Sequence, residues 1–446
     1  MKGFLVAGTD SGCGKTTVAI GLMALFRRRG WKVAPFKSGP DFIDPMFHEA
    51  ATGTASYNLD SYLLGDDALR RLCAKHAADR DITIVEGAMG LFDGLGPESL
   101  GSAAELAGKL GLPVILVVSC KALHQSAAAM VAGYNALLPG GLRGVILNHV
   151  HGMEQYRQLK DLVERKTGVP CLGHLPPEAR LELGSRHLGL LQAEEVGDLQ
   201  GKLDRLARLL EEGCDLPALE AMADGFAPPA PVSAPDFGAR LDGLRLGVAQ
   251  DAAFRFYYRD NLELLQGLGA ELAPFSPLAD ARLPARVDAL YVGGGYPEVH
   301  AERLAANASL RREIRERVGQ GFPVFAECGG LMYLTEAIVA DGREFPMAGV
   351  FNCRAHMTKR LQRFGYAELE FEGAHTRCHE FHHSQLEPSS VPPNHQLQYR
   401  LRKPESGREW ACGLRRNNCL AGYAHVHFHS SPEFFKRLAA LWTQAG

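Results

Sequence analysis

The chain has 446 residues, 46% hydrophobic and 22% charged, which is more apolar material than one core needs and predicts two domains. Its 48 Lys+Arg against 51 Asp+Glu give a formal net charge of -3, so no whole-chain attraction draws it to nucleic acid or anionic lipid. Ten cysteines stand singly, and no apolar run approaches the roughly 20 residues of a membrane helix or forms the core of a signal peptide. The expectation is a cytoplasmic chain with mostly buried, reduced thiols.

In chain order, residues 3–7, 32–37, 82–85, 113–118 and 143–147 are short runs rich in Val, Ile and Leu, separated by helical stretches such as 17–28. That alternation predicts buried parallel strands with crossover helices. Between the first strand and its helix lies Gly8-Thr-Asp-Ser-Gly-Cys-Gly-Lys-Thr-Thr17. Glycines there let backbone N–H groups turn toward phosphate oxygens, Lys15 adds charge at the outer phosphates, and the Thr16 hydroxyl can ligate Mg²⁺. Gly8 lies one residue too early for the usual Walker spacing and Thr9 takes the first glycine's place, an opening that resembles dethiobiotin synthetase and its relatives. The expected nucleotide contacts are Thr9, Asp10, Gly12, Gly14, Lys15, Thr16 and Thr17. Asn148, closing the run at 144–147, either reads the base or forms a turn. Asp41, Asp44, Glu86 and Asp93 fall just beyond strand ends, where open parallel sheets bind ligands. Glu86 and Asp41 are the metal candidates beside Thr16, and Asp44 and Asp93 the substrate candidates.

An amphipathic helix near residues 203–212 and the Pro/Ala-rich stretch 226–235 read as helix and linker, giving a first domain 1–190, a connector 191–243 and a second domain 244–446. The second domain restarts the α/β alternation at 246–249, 289–292 and 323–326. Phe322-Pro-Val-Phe-Ala-Glu-Cys-Gly-Gly-Leu-Met-Tyr333 reads as strand, sharp turn and helix, with Cys328 at the turn of a nucleophile elbow and its thiol pKa lowered by the helix N-terminus. Gly294, Gly295 and Gly329 are the candidate oxyanion donors. Gly422-Tyr-Ala-His-Val-His-Phe-His429 presents alternating histidines on an expected strand: His425 is the candidate base, and His427 stands where the triad carboxylate is expected. Together these features resemble a class I, triad-type glutaminase, with Ala326 in place of the glycine usual two residues before the nucleophile. His379-Glu-Phe-His-His383 matches a zinc-protease string, but its flanks read as a strand, which separates the two ligand positions.

Lys37-Ser-Gly-Pro-Asp-Phe-Ile-Asp-Pro45, Val85-Glu-Gly-Ala-Met-Gly-Leu-Phe-Asp-Gly94, Asp251-Ala-Ala-Phe-Arg-Phe-Tyr-Tyr-Arg-Asp-Asn261, Gly293-Gly-Gly-Tyr-Pro-Glu298 and Arg360-Leu-Gln-Arg-Phe-Gly-Tyr366 resemble the cobyrinate a,c-diamide synthase family along nearly the whole chain. Cys378 stands where that family usually has glycine. The resemblance implies an α/β protein in two parts, a P-loop dethiobiotin-synthetase-like parallel-sheet domain and a class I glutamine amidotransferase-like domain. It also implies a carbon–nitrogen ligase that amidates the a and c acetates of cobyrinate in cobalamin synthesis, with ATP as co-substrate, Mg²⁺ as cofactor and glutamine as ammonia source. Hydrogenobyrinate and nickel-sirohydrochlorin are the alternative macrocycles, and a partitioning-type ATPase switch is the rival of another class, which leaves Cys328 idle. Expected partners are these small molecules, with a homodimer as the candidate assembly and neither nucleic acid nor membrane.

Overall fold

Short apolar runs bounded by glycines suit strands covered on both faces, and the computed structural model forms them so. It describes residues 2–178, 185–186, 189–190, 192–230, 232–388 and 397–443. β1 (Lys2–Gly8), β2 (Val33–Ser38), β3 (Tyr57–Leu59), β4 (Ile82–Glu86), β5 (Val114–Ser119), β6 (Gly144–Asn148) and β7 (Cys171–Leu175) lie in the order 3-2-4-1-5-6-7, every pairing parallel. The order reverses beside β1, so the loop from β1 into α1 (Lys15–Arg28) sits at the switch point where such sheets bind ligands. A second helix, α2 (Asp44–Thr52), follows β2.

The chain divides into Met1–Ala234 and Pro235–Gly446. The first unit therefore extends past residue 190, because the helix Leu199–Gly213 buries Leu203, Leu206 and Leu210. A β-carbon on Gly21 of α1 would lie 2.4 Å from Leu210 Cδ1 and 2.6 Å from Leu206 Cγ, so the two helices approach closely at that glycine. Among the described residues of 226–235 there is neither helix nor strand.

In the second unit, β8 (Arg245–Ala249), β9 (Glu271–Phe275), β10 (Ala289–Val292) and β11 (Val324–Glu327) precede β12 (Arg363–Phe371), β13 (Ala374–His382), β14 (Leu414–Arg416), β15 (Cys419–Gly422) and β16 (His425–Val426). One sheet runs 9-8-10-11-15-14, parallel except for the last pair. β12, β13 and β16 belong to a second, antiparallel sheet. The helices that matter for the site are α3 (Arg259–Gly267) and α4 (Gly329–Leu334). The His379–His383 segment is strand through His382, with Cys378 buried opposite Val426. The alternating-histidine strand is shorter than expected. It stops at Val426, and His427 leads into a 3-10 turn, Phe428–Ser430.

Candidate functional site

The phosphate loop is built by backbone conformation first. Gly12 and Gly14 have φ of +101° and +90°, the left-handed region that glycine enters without strain. At Gly14 a β-carbon would also lie 2.0 Å from Asn148 Nδ2. The Asn148 amide donates to the Cys13 carbonyl at 2.9 Å, and its oxygen accepts from the His149 N–H at 2.9 Å, so it buttresses the loop. Tyr134 fixes the loop's other side, donating its hydroxyl to the Thr9 carbonyl at 2.5 Å. Asp10 and Gly12 are exposed at the loop's crest.

Glu86, wholly buried at the end of β4, gathers the charged groups. Its Oε1 accepts from the Thr16 hydroxyl at 2.5 Å and lies 3.2 Å from Lys37 Nζ and 3.9 Å from Lys15 Nζ. Its Oε2 is 2.7 Å from His48 Nε2. Burial raises the Glu86 pKa, but Lys37, His48 and Lys15 outweigh that and hold it well below the carboxylate range. Lys37 also pairs with Asp44 at 2.6 Å. Burial lowers the Lys37 pKa, but Asp44, Glu86 and Asp41 keep it raised and the ammonium charged. Asp44 is pushed up to about 8 by burial and by Asp41 and Glu86, against the pull of Lys37. Three carboxyls thus surround two ammonium groups, and with the Thr16 hydroxyl they are the hard oxygen donors that a divalent cation such as Mg²⁺ takes.

Asp41 Oδ1 accepts from the N–H groups of Ile43 and Asp44 at 2.7 and 3.1 Å, which starts α2. Asp93, exposed, accepts from the Gly90 N–H at 2.9 Å and shapes the loop after β4. Sequence reasoning gave Lys37 and His48 no role. The one available signal was the pair Asp44 and His48, four residues apart on one helix face.

In the second unit, Cys328 follows β11 with φ 48° and ψ −101°, a strained turn for a side chain with a β-carbon. Its N–H donates to the Gly422 carbonyl at 2.7 Å, tying the turn to the end of β15. The preceding residue, Glu327, accepts from the Val426 N–H at 2.8 Å, so the elbow is bonded to the chain on both sides of His425. His425 is opposite His379 in the sheet, and its Cε1 lies 2.4 Å from where a β-carbon on Gly294 would be.

The expected lowering of the thiol pKa is corrected here. Burial pushes Cys328 far up, and Glu298, Glu380 and Glu327 add to it, while its own neighbour's Gly329 N–H only partly offsets them. The resting side chain of Cys328 is a thiol. His425 is lowered to about 3 by burial, with His379 and His382 adding, so its imidazole is neutral.

A second correction concerns the oxyanion donors. The Gly294 N–H is already bonded to the Phe256 carbonyl at 3.2 Å, which withdraws it from that role. Gly295 N lies 3.0 Å from a β-carbon position on Gly329, so the Gly295 and Gly329 amides border the elbow and remain the candidate donors. His427 is the third. Wholly buried, it packs against the Tyr258 ring, with centroids 4.8 Å apart, and its Nε2 is 3.9 Å from Asp260 Oδ2.

A phosphate loop with a carboxylate cluster, and an elbow cysteine whose strand is bonded to the chain on either side of a neutral histidine, fit a glutamine amidotransferase with a nucleotide-binding domain. Residues 4–191 match the family described as the CobQ/CobB/MinD/ParA nucleotide binding domain, and residues 245–433 the CobB/CobQ-like glutamine amidotransferase domain. The chain is 40% identical to the cobyrinate a,c-diamide synthase of Caldanaerobacter subterraneus subsp. tengcongensis, covering 97% of each. It is 43% identical to that of Listeria monocytogenes, again over 97% of each, and 40% identical to that of Clostridium tetani, over 98% of this chain and 99% of that protein. The chain belongs to the cobyrinate a,c-diamide synthase family. Among the described residues no helix is long and apolar enough to cross a membrane.

Proposed function

We propose that this chain amidates the a and c acetate carboxylates of cobyrinate, using ATP and glutamine-derived ammonia. The observation that carries the reading is the bonding of the Cys328 elbow to both ends of the His425 segment, in a chain whose other unit holds a phosphate loop. Cys328 Sγ attacks the glutamine amide carbon as its proton passes to His425, the Gly295 and Gly329 amides receive the oxyanion, and His425 returns the proton to the amide nitrogen, which leaves as ammonia. Water then attacks the thioester, giving up a proton through His425 to the departing sulfur, which restores the thiol and releases glutamate.

In the first unit the substrate carboxylate attacks the γ-phosphorus of ATP, ADP leaves, and ammonia displaces phosphate from the acyl phosphate. Lys15 and the loop amides from Thr9 to Thr17 steady the phosphates. Asn148 has one amide hydrogen and one lone pair left for a base, while Asp44 and Asp93 orient the macrocycle's side chain. Thr16, Glu86 and Asp41 would hold Mg²⁺, which supplies positive charge against the phosphates when bound.

The test is amidation of cobyrinate, hydrogenobyrinate and nickel-sirohydrochlorin, each with glutamine and with ammonium salt. Cys328→Ala is expected to abolish the glutamine-driven reaction and spare the ammonia-driven one. Turnover of another macrocycle in preference to cobyrinate would replace the substrate, and glutamine-driven synthesis by Cys328→Ala would remove the nucleophile assignment.

A further inference from the structure

Triad glutaminases steady their histidine with a carboxylate two residues on, and here His427 occupies that place. Something else must hold His425. The antiparallel ladder does so only briefly, because β16 pairs with β13 through His425 and Val426 alone. The backbone N–H and C=O groups of this buried segment that the ladder leaves over, on Val426 and after it, need other partners.

Two side chains supply them. The Val426 N–H donates to Glu327 Oε1 at 2.8 Å. The Val426 carbonyl accepts from Asn261 Nδ2 at 2.8 Å, and the Phe428 N–H donates to Asn261 Oδ1 at 2.7 Å. Glu327 is 2% exposed and Asn261 is fully buried, so neither bond competes with water. The second Glu327 oxygen accepts from the Tyr291 hydroxyl at 2.6 Å, fixing the carboxyl from the other side.

We infer that Glu327 and Asn261 are positioning residues of the glutaminase, a two-sided clamp on Val426 and Phe428 that fixes His425 relative to Cys328. The inference rests on the proposed function. Glu327 is adjacent to the nucleophile in the chain, so one residue sets both the elbow and the backbone next to the base. Asn261 comes from α3 and uses both ends of its amide, a bidentate grip that aspartate or leucine of similar size lacks. A buried carboxyl is a costly way to satisfy one amide, whereas holding a reacting pair in register is worth that cost, since a misplacement of about 1 Å can lower a rate about 10²-fold.

The experiment uses the full chain and measures glutamine hydrolysis, with ammonia-driven amidation alongside. Glu327→Ala and Asn261→Ala are each expected to lower kcat about 10²-fold with KM for glutamine within about 3-fold, and ammonia-driven amidation unchanged. Glu327→Gln keeps an acceptor at the Val426 N–H and should recover kcat to within about 10-fold of the parent. If Glu327→Ala does not unfold cooperatively, Glu327→Met, which fills the volume without an acceptor, replaces it in the comparison.

A kcat within about 3-fold of the parent in the folded Ala or Met variants overturns the clamp, as does a loss carried wholly by KM. A Gln variant as impaired as the Ala variant also overturns it, since charge rather than acceptance would then matter. Failure of the glutaminase reading looks different: Cys328→Ala itself would go on hydrolysing glutamine.

Discussion

His425 and His427 lie two residues apart in the chain but in different surroundings. Both are neutral: His425 is lowered to about 3, and His427 to about 4 by burial with Asp260 partly opposing. Only His425 belongs to the segment bonded at both ends to the Cys328 elbow, while His427 faces Tyr258 and Asp260. His425→Ala is therefore expected to lower glutamine hydrolysis by about 10² to 10⁴-fold, the usual contribution of a proton-transfer group, and His427→Ala by clearly less. Assaying both variants decides it; a larger loss at His427 would exchange their roles. The loop before Lys15 and the turn at Cys328 were legible because their surroundings are local, with glycines and a strand within a few residues. The end of the histidine strand was not, because it depends on Asn261, 167 residues from Phe428 in the chain. Gly294 misled for a similar reason, since nothing nearby in the chain shows that the Phe256 carbonyl takes its N–H.

At the scale of elements, the parallel strands of both units could be read from their apolar runs, whereas the place where an amphipathic helix docks could not. The helix Leu199–Gly213 looked like part of a connector because its apolar stripe names no partner. Its partner is α1, and the fit depends on Gly21, where any side chain would meet Leu206 and Leu210. Leu206 is 4% exposed, so Leu206→Ala removes packing and leaves a cavity, and the first unit should lose about 2 to 5 kcal/mol. Arg208→Ala, on the exposed face of the same helix, should stay within about 0.5 kcal/mol of the parent. Denaturant titrations of the two variants compare them directly. Equal, small effects would mean that the helix rests loosely on α1 and that the domain does end near residue 190.

For the molecule as a whole, the two units should respond differently to acid. Among its described residues the second unit buries four histidines with lowered pKa: His379 and His425 at about 3, His382 and His427 at about 4. An unfolded histidine takes up its proton near pH 6.5, so below that pH protons favour the unfolded chain until the native groups titrate. Two buried carboxyls oppose this. Glu327 and Glu380 are pushed up to about 7 by burial, so the native state keeps protons that the unfolded chain releases above its ordinary value of 4.5. Near pH 5.5 the difference is four imidazolium protons less two carboxyl protons, a net of about two, which is a slope of roughly 2 to 3 kcal/mol per pH unit toward unfolding. In the first unit the histidines with lowered values, His149 and His174, are less deeply buried, and the acid response should be weaker. Hydrogen exchange at pH 7.5, 6.5 and 5.5 should therefore show protection falling in β13 and β15 well before β1, β4 and β5. His382→Phe keeps a ring to stack on Tyr423, at 3.7 Å in the parent, and should reduce the slope by about one proton's worth. Protection in the second unit that stays level from pH 6.5 to 5.5 would mean these histidines are already protonated in the folded state, and a protonated His425 could not take the proton from Cys328.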